Sequence, residues 1–265
     1  MRAAIPNIPL RKHALLAMHY LSRPPARAAG YERRRHGRWP VVEGGRDDHV
    51  WGQEGDSLME DTDRQAHWEN VYTTKGENEV SWFQQSPAPS LELIVQAGAT
   101  HASAIIDIGG GASRLADHLI EQGFEDITVL DLSGAALKAA KVRLGVRADR
   151  VHWLVADATT WEPMKRYDIW HDRAAFHFLT DEKDRAAYIE RLTRGLKAGG
   201  HAIIATFALD GPEKCSGLPV ARYDAARLGQ TLGPGFRLVH TRRHEHATPW
   251  DSHQVFQFSV FRREG

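Results

Sequence analysis

The run AIIDIGGGASRLADHL, residues 104–119, decides the fold. An apolar stretch carrying an acid, Asp107, meets Gly109, Gly110 and Gly111, and the chain then opens directly into a helical pattern. A strand feeds a tight turn and the turn feeds a helix, with a carboxylate held at the strand's carboxyl end. The dinucleotide fingerprint G-x-G-x-x-G fails here, because Arg114 stands where its third glycine belongs. The form that fits is D-x-G-x-G-x-S, from Asp107 to Ser113.

The elements that follow keep regular intervals. ITVLD (127–131) and VHWLVAD (151–157) read as second and third strands that each end in an acid. YDIWHD (167–172) reads as a fourth strand, LKAGG (196–200) as a helix-ending turn and HAIIATFAL (201–209) as a fifth strand. Residues 236–246 and 254–262 alternate apolar and polar around Thr248, Pro249 and Asp251, as an antiparallel hairpin should. An acid at one strand end is often only a helix cap or turn residue. Three at successive strand ends, one beside a glycine turn, form a set. Asp131 stands about 20 residues after the glycines, where a carboxylate can accept from both hydroxyls of a ribose.

This succession resembles the class I S-adenosylmethionine-dependent methyltransferases over residues 64–263. The resemblance implies an α/β, Rossmann-like fold: a seven-stranded, mostly parallel sheet with an antiparallel C-terminal hairpin and helices on both faces. It implies S-adenosyl-L-methionine as cofactor. Asp107 would pair with the methionine ammonium. Gly109, Gly110 and Gly111 would let the backbone approach the amino acid moiety, with amides at the helix start facing its carboxylate. Asp131 would take the ribose, Leu132 the adenine face, and Asp157 with Ala158 the adenine edge. Near the start, Trp68 and Tyr72 lie one helical turn apart and Trp82–Phe83 follow. That pattern is similar to the opening of protein-lysine and thiopurine-type methyltransferases and implies that Tyr72 and Trp82 touch the cofactor; as aromatics they read equally as core.

Acceptor-side candidates follow the fourth strand: His171, Asp172, Arg173, Phe176 and His177. Asp172 could orient an acceptor or cap the strand-to-helix turn, and His171 or His177 could act as general base or be packed. Asp172, Arg173, Ala174 and Ala175 stand where DNA amino-methyltransferases carry an acid or Asn and two prolines, which argues against a nucleic-acid base as acceptor. A single cysteine, Cys215, excludes an arsenite mechanism. Short connections favour a small-molecule acceptor with an N, O or S nucleophile. The alternatives are a protein lysine, a cofactor-binding module without turnover, and a nicotinamide oxidoreductase. His240, His244 and His246 share parity on a strand, as metal ligands or as imidazoles on a solvated face; the latter reading leaves no metal site. Residues 209–224 read as a loop over the acceptor, with Cys215 and Tyr223 lining it or lying on the surface.

Lys and Arg number 34, as do Asp and Glu, so no global field recruits nucleic acid. Between Arg2 and Arg38, nine basic residues stand against one acid, Glu32. Residues 1–58 therefore read as a disordered basic extension, which could be a tail, a transit peptide or an upstream artefact, and residues 59–265 as the methyltransferase domain. No run reaches the length of a membrane span. One cysteine fits a reducing, cytoplasmic setting. Nothing in the sequence sets an oligomeric state.

Overall fold

The computed structural model describes residues 61–265; the basic extension expected over residues 1–58 lies outside the described residues. Six α-helices are present among them: α1 (Asp61–Thr74), α2 (Ala88–Gln96), α3 (Leu115–Glu121), α4 (Gly134–Leu144), α5 (Glu182–Gly195) and α6 (Ala225–Leu232). The strands are β1 (Ala104–Ile108), β2 (Asp126–Asp131), β3 (Val151–Val155), β4 (Tyr167–Arg173), β5 (Leu196–Phe207), β8 (Phe236–Ala247) and β9 (His253–Arg263), with a two-residue pair, β6 (Lys214–Cys215) and β7 (Leu218–Pro219), between β5 and α6. The main sheet runs β3-β2-β1-β4-β5-β9-β8. β1 to β5 are parallel, and β9 is antiparallel to both β5 and β8. The chain steps outward from β1 to β3, then crosses to β4 on β1's other side. That reversal opens a crevice at the carboxyl ends of β1 and β4, where open α/β sheets bind ligands.

Side-chain alternation sorts the core into two layers. Ile105, Ile169 and Ile203 pack with Leu93, Ile94, Leu119 and Leu137 of α2, α3 and α4. Ile106, Trp170 and Ile204 pack with Tyr188, Leu192 and Leu228 of α5 and α6. Helices thus cover both faces, and the inner strands are apolar on both. At the carboxyl ends the same rule distributes polar residues: Asp107, His171 and Arg173 share parity with the α2 face, and Asp172 with the α5 face.

The stretch LKAGG is not a turn separating helix from strand. α5 ends at Gly195 and β5 begins at Leu196, which pairs with Tyr167; the next β4 pair is Ile169 with His201. Residues 197–200 bulge from the strand, with Gly199 at φ +77°. No helix among the described residues is long and apolar enough to cross a membrane.

The glycine turn is fixed by the protein's own packing. A Cβ on Gly110 would lie 2.5 Å from Asp107 Oδ2 and 2.7 Å from Val129 Cγ1, and one on Gly109 would lie 2.7 Å from Ala175 Cβ. Gly109 and Gly111 also hold φ of +64° and +45°. At Gly109 and Gly110 the turn itself already requires the missing Cβ. Gly110→Ala is expected to lower stability by about 1–3 kcal/mol, the usual cost of overpacking, seen as a lower urea midpoint with an unchanged m value. A wild-type midpoint would show that the turn tolerates the clash.

Candidate functional site

A cleft of about 910 Å³, counted to its open mouth, lies over the carboxyl ends of β1, β2, β3 and β4. One end is walled by Asp131, Leu132, Asp157 and Ala158, the other by Trp68, Trp82, Phe178, Cys215 and Phe256. Gly109 and Tyr72 border the cleft between them. A smaller recess adjoins it, lined by Tyr72, Trp82, Ser90, Asp107, Gly109, Gly110, His171 and Arg173. Of the residues expected to bind cofactor, all but Gly111 border the cleft or the recess. Gly111 packs behind, where its Cβ would meet Asp131 Oδ2 at 2.9 Å.

Asp131 ends β2 with its carboxylate buried. Ser133 N–H donates to its Oδ1 at 2.8 Å, and the amide of Gly111 also points to it. Burial pushes its pKa up to about 7, and the nearby charges of Asp107 and Glu69 push the same way. Asp157 is more engaged than its expected role required: the amide and hydroxyl of Thr159 donate to Oδ1 at 2.7 and 2.6 Å, and Arg64 Nη2 reaches Oδ2 at 3.3 Å.

The expected catalytic trio splits by parity. Asp107 and His171 are register partners on β1 and β4, joined by a 2.7 Å bond between Oδ1 and Nδ1, and His171 Nε2 lies 2.8 Å from Ser90 Oγ of α2. All three are buried. Asp172 points to the opposite face, where Tyr188 hydroxyl donates to Oδ2 at 2.7 Å and the amides of Ala175 and Phe176 donate to Oδ1 at 2.9 and 3.2 Å. Burial pushes its pKa up to about 6 against those bonds. It has no exposed surface and borders neither cleft nor recess, so it caps the turn after β4. His177 is packed between Phe178 and Phe207. Phe207 N–H donates to its Nδ1 at 3.4 Å, Nε2 has no partner, and burial drives its pKa down to about 3. The structure therefore does not bring Asp172 or His177 to the cleft wall.

The amino-terminal helix is tied over the site. Glu69 of α1 accepts from Ser133 Oγ at 2.7 Å and from Ala135 N at 3.1 Å, placing its charge at the start of α4, where the helix dipole favours it. Gln65 donates to Leu132 carbonyl at 3.3 Å. Trp82 Nε1 donates to Tyr72 hydroxyl at 3.0 Å, and Trp68 meets Trp82 and Phe178 edge-on at 5.6 and 5.0 Å. Arg173, one of the acceptor-side candidates, reaches the site. It borders both cleft and recess and donates from Nη2 to Trp82 carbonyl at 2.8 Å. Its parity with His171, the register partner of Asp107, brings it to the same face.

The hairpin imidazoles do not act as a group. His240 is exposed and His246 is buried, with Nε2 2.7 Å from Ser81 carbonyl, so the solvated-face reading fails at His246. Among the described residues no three His, Cys, Asp or Glu side chains gather as a metal ion would need. Cys215 borders the cleft, whereas Tyr223 is buried against Phe176.

A family profile described as "Methyltransferase domain" matches residues 105–200. The chain is 29% identical over 122 residues to the trans-aconitate 2-methyltransferase of Rhizobium leguminosarum bv. trifolii, covering 46% of this chain and 45% of that one. It is 26% identical over 154 residues to the eEF1A lysine and N-terminal methyltransferase of Bos taurus, covering 54% and 21%. The chain thus spans less than half the length of these curated relatives. Its fold matches the Burkholderia thailandensis 1,6-didemethyltoxoflavin-N1-methyltransferase with a TM-score of 0.62, at 17% identity, over 81% of this chain and 94% of that one.

His177→Gln keeps an acceptor for the Phe207 amide and tests the packed role. Turnover is expected within about threefold of wild type, since a lost general base would cost about 100-fold or more. A loss of that size would return His177 to the chemistry.

Proposed function

We propose that this chain is a class I S-adenosylmethionine-dependent methyltransferase that transfers the donor's methyl group to a small molecule whose accepting atom already carries a free lone pair at neutral pH. The residues fit the donor: Asp131, buried and held charged only with difficulty, faces the cleft where two hydroxyl donors would stabilise its carboxylate, and Asp107 borders the recess at the far end. Leu132 and Ala158 offer apolar surface for a base between the two strand-end acids. When bound, S-adenosylmethionine supplies an electrophilic methyl group on a sulfonium, so the protein's task is alignment.

One observation carries the acceptor assignment. No histidine borders the cleft among the described residues, and its acids, Asp131 and Asp157, stand at the adenosine end. Burial pushes the Cys215 thiol up to about 11 and the Tyr72 phenol well above its usual range, so neither accepts a proton. A protein lysine, ordinarily protonated at pH 7, would find no base on this wall. A carboxylate, a thiolate or an unprotonated heterocyclic nitrogen needs none. The aromatic wall of Trp68, Trp82 and Phe178 holds a flat or apolar acceptor and excludes water from the transfer. The same rings could attract an ammonium group, which keeps lysine transfer as the second reading. Tritium from labelled donor entering the low-mass fraction of an extract supports the first reading; tritium confined to a protein band supports the second. Asp172 and His177 act in this proposal by holding the turn that carries Arg173, Ala174 and Ala175 to the cleft.

Hydroxyl donors bind the charged form of Asp131 better than the neutral form. Affinity for S-adenosylhomocysteine is therefore expected to rise as pH rises through about 7. Asp131→Asn should lose about tenfold in affinity and flatten that dependence, as measured by calorimetry from pH 6 to 8. Unchanged affinity in the variant would overturn the ribose assignment.

A further inference from the structure

The recess beside the glycine turn brings one carboxylate, Asp107, and one guanidinium, Arg173, to a common volume. Asp107 is held by His171, whose other ring nitrogen is held by Ser90, and its carboxylate borders the recess. Arg173 enters from β4 on the same face. No carboxylate among the described residues forms an ion pair with it; Nη2 is held by Trp82 carbonyl, and Nη1 is buried with no hydrogen-bond partner. A buried guanidinium N–H without an acceptor is costly, and a ligand anion is the natural complement.

Five of the turn's amides, at the helix start expected to face such an anion, already have protein acceptors. Gly109 and Gly110 donate to Leu130 carbonyl at 2.8 and 3.2 Å, Gly111 to Asp131, Ser113 to Gly110 carbonyl at 2.8 Å, and Leu115 to Ser113 Oγ at 3.1 Å. α3 is also only seven residues long, so its dipole is small. An anion entering this recess meets Arg173.

We propose that Arg173 receives the carboxylate of the donor's methionine end and, with Asp107 for the ammonium, forms a receptor matched to a zwitterion. The inference rests on the donor reading above. An α-amino acid carries opposite charges on groups attached to one carbon, so its receptor needs an acid and a base within a few ångströms of one point. β1 and β4 are adjacent strands whose carboxyl ends supply that pair. The same contact explains the Trp82 bond: the guanidinium that holds the carboxylate also holds the segment carrying Trp82, so donor binding and closure of the aromatic wall share one cation.

The test compares ligands that differ only at this end, by calorimetry on the full chain. S-adenosylhomocysteine keeps the zwitterion, its decarboxylated analogue lacks the carboxylate, and 5′-methylthioadenosine lacks the whole amino acid end. Wild type is expected to bind the decarboxylated analogue more than about tenfold more weakly than S-adenosylhomocysteine, as loss of a charge-assisted bond implies. Arg173→Gln should weaken S-adenosylhomocysteine by a similar factor while leaving 5′-methylthioadenosine within about twofold. The variant should then bind S-adenosylhomocysteine and its decarboxylated analogue equally. Equal wild-type affinity for those two ligands overturns the proposal even if Arg173→Gln does not fold. A variant that weakens S-adenosylhomocysteine and 5′-methylthioadenosine equally also overturns it, because the arginine then acts on the pocket as a whole. A variant that binds both normally but has a raised KM for its acceptor overturns it in favour of an acceptor contact. If wild type binds neither adenosine ligand, the donor reading itself fails and this inference with it.

Discussion

The site depends on the 2.7 Å bond between Asp107 and His171. It joins β1 to β4 across the point where the chain reverses direction through the sheet, and Ser90 extends it into α2. Both groups are buried, so neither can lose its partner without leaving an unsatisfied polar atom in the core. The pair therefore fixes how the glycine turn sits against the strand that carries Arg173. A His171 acting as general base would have to release one of its two partners, and both are protein groups. Its chemistry is to hold a carboxylate in place.

Much of this was legible in the sequence. The order of strands, the acids at their ends and the closing hairpin follow from period-two patterning and turn residues, which are local signals. The strand ends were read as a list of polar residues, however, when the same period sorts them onto two faces. Counting from Ile169, His171 and Arg173 lie with the α2 layer and Asp172 with the α5 layer. Applied there, the rule separates Asp172 from Asp107 before any coordinates exist. Other features depend on contacts between distant segments and leave no local mark. The Thr159 bonds to Asp157, the seating of Glu69 on α4 and the bulge within LKAGG belong to this class.

α1 brings Trp68 and Tyr72 to the cleft and is seated there by polar anchors. Glu69 at the start of α4, Arg64 between Asp157 and Asp184, and Gln65 on Leu132 carbonyl are its seats. Two of these, at Asp157 and Leu132, lie on the cleft wall itself, so the seating of α1 and the shape of that wall are mechanically linked. The segment carrying Trp82 is pinned separately, by Arg173 and by His246 of β8. The aromatic wall is thus assembled from α1, β4 and the hairpin together.

The buried acids show what this arrangement costs the fold. A carboxyl whose folded pKa exceeds its unfolded value stabilises the protein at low pH, and that contribution disappears as pH rises through the folded pKa. The loss begins near the ordinary carboxylate value of about 4 and is complete by about 6 for Asp172 and by about 7 for Asp131. At neutral pH, therefore, the core bears a charged Asp172 that Tyr188 and two amides compensate, and an Asp131 caught midway in its titration. The difference between them is one of partners: Asp172 is closed by protein groups alone, whereas Asp131 opens to the cleft. A ligand that hydrogen-bonds the charged form supplies the missing partners, and by linkage it restores stability to the fold as it binds.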